Sequence, residues 1–144
     1  MRQSPPGPRD HAVDSILDSL DSLDVDSVLN HLCDDARLSF GRSRIAHGKS
    51  AIRKVLIRTL GLLDSLHCAP VAIWTGNRVA VVDLDVAFER ADGGGLTIPA
   101  TIVLRFSGRA VSDVTVCAYV STMPVGLRKS VGRERVLAPT AAAC

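Results

Sequence analysis

The sequence predicts an α+β fold in which helices come first and a curved, mostly antiparallel sheet follows. Two patterns carry this expectation. Apolar residues recur at helical spacing from Val13 to Leu60, and from residue 68 onward the period shortens to two. A third observation is compositional: 47% of the chain is hydrophobic and only 3% aromatic, so the core is mainly aliphatic. Helices followed by a strand meander make a sheet that wraps the helices and leaves room for a pocket.

The first helix is read from Val13, Ile16, Leu17, Leu20 and Leu23, with Asp14, Asp18 and Asp21 as a solvated acidic row on the other face. Asp24 caps a short second helix carrying Val28, Leu29 and Leu32. Asp34-Asp35 breaks that pattern, and Ala36–Phe40 reads as a short strand. A third helix spans Lys49–Leu60, with Ala51, Ile52, Val55, Leu56 and Leu60 inward and Arg53, Lys54 and Arg58 outward. Gly61 stops it. Four strands follow: Pro70–Trp74, Val79–Glu89, Leu96–Phe106 and Arg109–Ser121. Thr75-Gly76-Asn77, Asp92-Gly93-Gly94-Gly95 and Ser107-Gly108 supply the turns. Pro99 requires an edge or bulge position, because it donates no ladder hydrogen bond. Residues 1–9, rich in proline, are expected to be disordered. Residues 10–125 form one domain, and 126–144 a flexible tail.

Composition also excludes classes. The net charge is +2 and five aromatics are spread along the chain, so neither a concentrated basic face nor a stacking platform for nucleic acid is present. No apolar run approaches a membrane span or a secretory signal, and a cytoplasmic protein is expected. Cys33, Cys68, Cys117 and Cys144 form no Cys-x-x-Cys and read as free thiols. His11, His31, His47 and His67 form no metal-binding pattern, so no metal site is expected. Nucleotide-loop and Ser-His-Asp signatures are absent from the sequence.

Several stretches together resemble the nuclear-transport-factor-2-like superfamily, in its SnoaL-like polyketide cyclase, ketosteroid isomerase and limonene epoxide hydrolase branches. They are Leu32-Cys33-Asp34-Asp35-Ala36-Arg37-Leu38, His47-Gly48-Lys49-Ser50-Ala51-Ile52, Val81-Val82-Asp83-Leu84-Asp85-Val86, Ile98-Pro99 and Leu104-Arg105-Phe106, and Tyr119-Val120-Ser121-Thr122-Met123-Pro124-Val125. The resemblance covers residues 10–125. It implies a cone-shaped fold around a mostly apolar pocket, a homodimer, and enzymes that use pocket residues in place of cofactors.

Carried over residue by residue, the isomerase positions are occupied by apolar side chains. Phe40 stands where that branch has its general-base Asp, Ile16 where it has its oxyanion Tyr, and Ile102 near its protonated Asp. The epoxide hydrolase pattern retains one carboxylate: Asp85 matches the Asp of its Arg-x-Asp, Asp83 replaces the Arg, and its water-holding pair falls on Leu38 and Phe40. Its last-strand Asp falls on Tyr119 or Ser121.

Asp83 and Asp85 alternate onto one strand face, about 6–7 Å apart. If that face looks into the pocket, one carboxylate serves as general acid and the other as base. Apart from the resemblance, the pair reads as the solvent face of an amphipathic strand. Tyr119, the one phenol in the chain, reads either as a hydrogen-bond donor to a substrate oxygen or as a packing aromatic with a wet hydroxyl. The leading expectation is a cofactor-independent cyclase or isomerase acting on an apolar oxygenated small molecule, polyketide- or terpenoid-like. It includes epoxide opening as a variant. Asp85, Asp83 and Tyr119 would be catalytic, and Ile16, Leu38, Phe40, Leu56, Trp74 and Ile102 would form the substrate wall. The rival is a non-catalytic small-molecule binding or dimeric interaction protein on the same fold.

Overall fold

The structure is a computed structural model and describes residues 8–118. The elements run α1 (Pro8–Asp21), α2 (Val25–Leu29), β1 (Leu32–Phe40), β2 (Ser43–His47), α3 (Lys49–Leu60), β3 (Leu63–Thr75), β4 (Val79–Arg90), β5 (Gly95–Ser107) and β6 (Ala110–Ala118). The six strands form one curved sheet in the order β2-β1-β6-β5-β4-β3. Among the described residues only β1 and β6 run parallel; every other neighbouring pair is antiparallel.

The helices form where the apolar spacing is 3.6. Val13, Ile16 and Leu17 of α1 are buried, as are Ile52, Val55 and Leu60 of α3, while Arg53, Lys54 and Arg58 stay exposed. Asp24 caps α2: its carboxylate accepts from the Ser27 N–H at 3.2 Å and from the Ser27 hydroxyl at 2.7 Å. The Ser27 hydroxyl and then its N–H hold the Asp24 carboxyl below its ordinary range. Gly48 begins α3 at φ 91°, a conformation that strains a side-chain-bearing residue, and its N–H donates to the Ala36 carbonyl.

The strands depart from the sequence expectation at three places. β1 begins at Leu32, so Leu32 belongs to the sheet and not to the second helix. Asp34 and Asp35 do not end the element: they sit in a register irregularity with their side chains in solvent. β2 was not anticipated. It is five residues long and among the described residues pairs only with β1, so its alternation is too short to stand out. β3 starts at Leu63, well before Pro70. As the outermost strand on its side it carries polar residues that blunt the period-two signal. α1 likewise starts at Pro8, inside the stretch expected to be disordered.

Pro70 sits in edge strand β3 at a bulge that makes Val71 the extra residue. Pro99 lies one residue beyond the described β5–β6 ladder, so among the described residues its only strand neighbour is β4. The β4–β5 hairpin turns through 91–94. Gly93 is at φ 96°, and the Asp92 carboxylate accepts from the Gly94 N–H at 3.1 Å.

The core is the helix-covered face of the sheet. Val82 and Leu84 of β4, 1% and 2% exposed, pack with Leu104, Ile73, Ile52 and Val13. A second apolar cluster lies towards the β4–β5 turn. Phe40, Phe88, Ile98 and Ala118 are buried there, with Leu66, Val86, Leu96 and Val116 half-buried around them.

Candidate functional site

Strand alternation divides the candidate residues between two faces. On β4, Val82, Leu84 and Phe88 point to the helices, so Asp83 and Asp85 point the other way. The register extends this assignment across the sheet: Asp83 opposes Thr101, and Thr101 opposes Cys117. The Thr101 hydroxyl donates to Asp83 Oδ1 at 2.7 Å. Asp85 is exposed beside Pro99. Together with Val71 and Cys117, these groups line a shallow groove of about 290 Å³ on the helix-free face.

The expected substrate wall is split. Ile16 and Phe40 are buried on the helix-covered face, and Leu38, Leu56 and Ile102 pack half-buried against the same core. Trp74 opposes Val81 and so shares the helix-free face with the carboxylates, where it is 48% exposed. The expectation that the acidic pair and this wall enclose one pocket is thus corrected among the described residues. The reason is burial: Val82 and Leu84 bury far more apolar surface than the aspartates could, and this fixes which face meets the helices. Tyr119 lies outside the described residues.

Thr101 is the partner that residue-by-residue reading missed. The signal was present, since Asp83 and Thr101 are equidistant from Asp92 at the hairpin turn and an antiparallel ladder pairs such positions. A second polar group had no local signal. Asp21, expected on the solvated row of the first helix, reaches edge strand β3. Its Oδ1 accepts the Cys68 N–H at 2.7 Å, and its Oδ2 lies 3.0 Å from His67 Nδ1. Burial, and then the neighbouring Asp21 carboxylate, push the Cys68 thiol up to about 12. It is therefore a protonated core side chain at neutral pH and a poor nucleophile.

Near the β4–β5 turn, Ser65, His67, Ala87, Glu89 and Thr97 border an open depression of about 570 Å³. Asp113, on β6, forms an ion pair with Arg37 at 3.5 Å. Cys33 and Cys68 are free thiols, whereas Cys117 is disulfide-bonded, against the expectation of four free thiols. Among the described residues no group of His, Cys, Asp or Glu is placed to hold a metal ion. No helix of the described residues is long and apolar enough to cross a membrane.

No protein-family model matches the chain, and no curated protein matches its sequence. Solved structures do match its fold. A nuclear-transport-factor-2-like protein of unknown function from Burkholderia pseudomallei superposes with a TM-score of 0.73 at 13% identity, covering 88% of this chain and 99% of that one. A protein provisionally named a SnoaL-like polyketide cyclase, from Shewanella putrefaciens, gives a TM-score of 0.73 at 17% identity, with 83% and 84% covered. A hypothetical protein of ketosteroid isomerase-like fold from Catenulispora acidiphila, in complex with trimethylamine, gives 0.71 at 11% identity, with 90% and 95% covered.

Proposed function

We propose, from this nuclear-transport-factor-2-like fold, that the chain is a small-molecule binding protein that holds an apolar ligand against the helix-covered side of its sheet. One observation carries the reading. Asp83 and Asp85 sit across the sheet from the apolar interior, which separates these two carboxylates from the surface an apolar molecule would occupy. The half-buried ring of Leu66, Val86, Leu96 and Val116 around Phe88 offers such a molecule its contact area. A homodimer belongs to the same proposal, and sedimentation velocity tests it.

The experiment uses the apolar fluorophore 8-anilinonaphthalene-1-sulfonate. The Asp83→Asn, Asp85→Asn double variant is expected to bind it as the parent does, while Val86→Phe, which fills the ring, weakens binding about tenfold. Binding lost in the aspartate variant and kept in Val86→Phe would overturn the reading.

A second reading keeps the cyclase or isomerase. The observation favouring it is the Thr101–Asp83 hydrogen bond, which fixes one carboxylate beside a second on the same face. It requires the substrate to lie in the helix-free groove. Asp85→Asn would then remove turnover of an oxygenated terpenoid or polyketide epoxide, and unchanged turnover would exclude Asp85.

A further inference from the structure

On the helix-free face, the part formed by β3 and β4 is exposed. Val71 is 65% exposed and Trp74 48% exposed on it. Beside them runs a row of carboxylates at alternate positions of β4: Asp83, Asp85 and, past Ala87, Glu89. The described ion pairs engage none of the three. Arg37 is used by Asp113, Arg90 by Asp92, Arg53 by Asp26 and Lys49 by Asp34. Among the described residues, Asp83 and Glu89 accept from the neutral hydroxyls of Thr101 and Ser65.

The chain itself supplies a matching occupant. Residues 126–144 contain Arg128, Lys129, Arg133 and Arg135 against the single acid Glu134. They carry a net +3, so the rest of the chain, within a total of +2, carries −1. The described chain ends on β6 at Ala118, and Cys117 beside it is joined through Thr101 to Asp83 by direct cross-strand pairing. Two strand spacings, about 10 Å, separate the exit point from the acidic row. The ten residues from Ala118 to Arg128 can span about 30 Å when extended, so Arg128 reaches the row with slack.

We propose that the basic segment 126–144 docks in cis across the helix-free face, with its arginines and Lys129 over Asp83, Asp85 and Glu89. Docking covers the acidic row and shields Trp74 beside it. The inference is independent of the function proposed above, because it concerns the opposite face of the sheet.

The test is zero-length carbodiimide coupling of the full chain, under a thiol reductant so that no disulfide at Cys117 restrains the segment. Equal amounts of unlabelled and ¹⁵N-labelled protein are mixed, and cross-linked peptides are read by mass spectrometry. The expected result is an amide between Lys129 and Asp83, Asp85 or Glu89 within one chain, reduced about fivefold in about 0.5 M salt. Lys129 joined to other carboxylates without salt dependence would overturn the proposal. So would links formed only between labelled and unlabelled chains, which would place the segment on a second copy. A second readout leaves the sheet untouched: in the Arg128→Gln, Lys129→Gln, Arg133→Gln, Arg135→Gln variant, acrylamide quenching of Trp74 is expected to rise about twofold. Quenching unchanged from the parent would also overturn it.

Discussion

The two faces of one sheet obey different rules. The helix-covered face is built from Val82, Leu84, Ile98 and Leu104, each 3% exposed or less, and its side chains are fixed by mutual contact. The helix-free face one residue away carries exposed Asp85 and Trp74 and the half-buried pair Asp83 and Thr101. The fold depends on the first face, whereas the exposed β3–β4 part of the second, around Trp74 and Asp85, contributes little to the buried core. Chemistry-bearing residues on the second face are therefore not evidence that the sheet was shaped around them.

Substitutions can break or sharpen this contrast, and the largest effect belongs to the covered face. Leu84→Ala is expected to cost about 2–5 kcal/mol in urea unfolding, whereas Asp85→Ala, its neighbour, should cost less than about 0.5 kcal/mol. Comparable losses would dissolve the distinction between the faces.

Next is alkaline pH. Because the Cys68 thiol titrates near 12 when folded and near 9 when unfolded, the folded state holds its proton more tightly. The resulting stability is complete below pH 9 and is lost as pH rises from 9 towards 12, by at most about 1.4 kcal/mol per unit. Urea titrations at pH 9 and 11 should show that loss in the parent and not in Cys68→Ala. At pH 8, iodoacetamide should label half-exposed Cys33 and leave Cys68 unmodified.

A smaller effect lies at the seam between the faces, where α1 meets the edge of β3. Asp21→Ala removes the acceptor of the Cys68 N–H and should cost about 1–2 kcal/mol in the same unfolding measurement. The smallest is on the free face itself. Thr101→Val removes the bond to Asp83 and should change stability by about 1 kcal/mol or less. A larger loss would mean that the polar pair helps hold the sheet together.

Most of the architecture was legible in the sequence because it rests on local periodicity. The Lys49–Leu60 helix has the expected bounds, and the Asp92-Gly93 turn lies where the glycines put it. β2 and the first half of β3 were hidden because edge strands are short or polar there, and their pairing depends on partners distant in sequence. The site was legible only in part. Alternation set Asp83 and Asp85 on one face, but a period of two treats both faces alike. The choice between them is made by Ile52, Val55 and the α1 side chains packing on Val82 and Leu84, which are long-range contacts. Asp21 at the β3 edge was missed for the same reason: it is separated from Cys68 by 47 positions, and nothing local signals the contact.

The single parallel pair in the sheet bears on how the molecule is made. β1 lies between β2 and β6, and β6 is the last described strand in the chain. While the protein is being synthesised, the β1–β2 hairpin and the β3–β4–β5 meander emerge as two separate ribbons, each with an open edge. They become one sheet only when residues 110–118 slot between them. Assembly therefore waits for the last described strand, and the step that joins the halves closes the longest loop among the described strands. A chain interrupted before Ala110 would keep both ribbon edges unpaired and ready to join those of other chains.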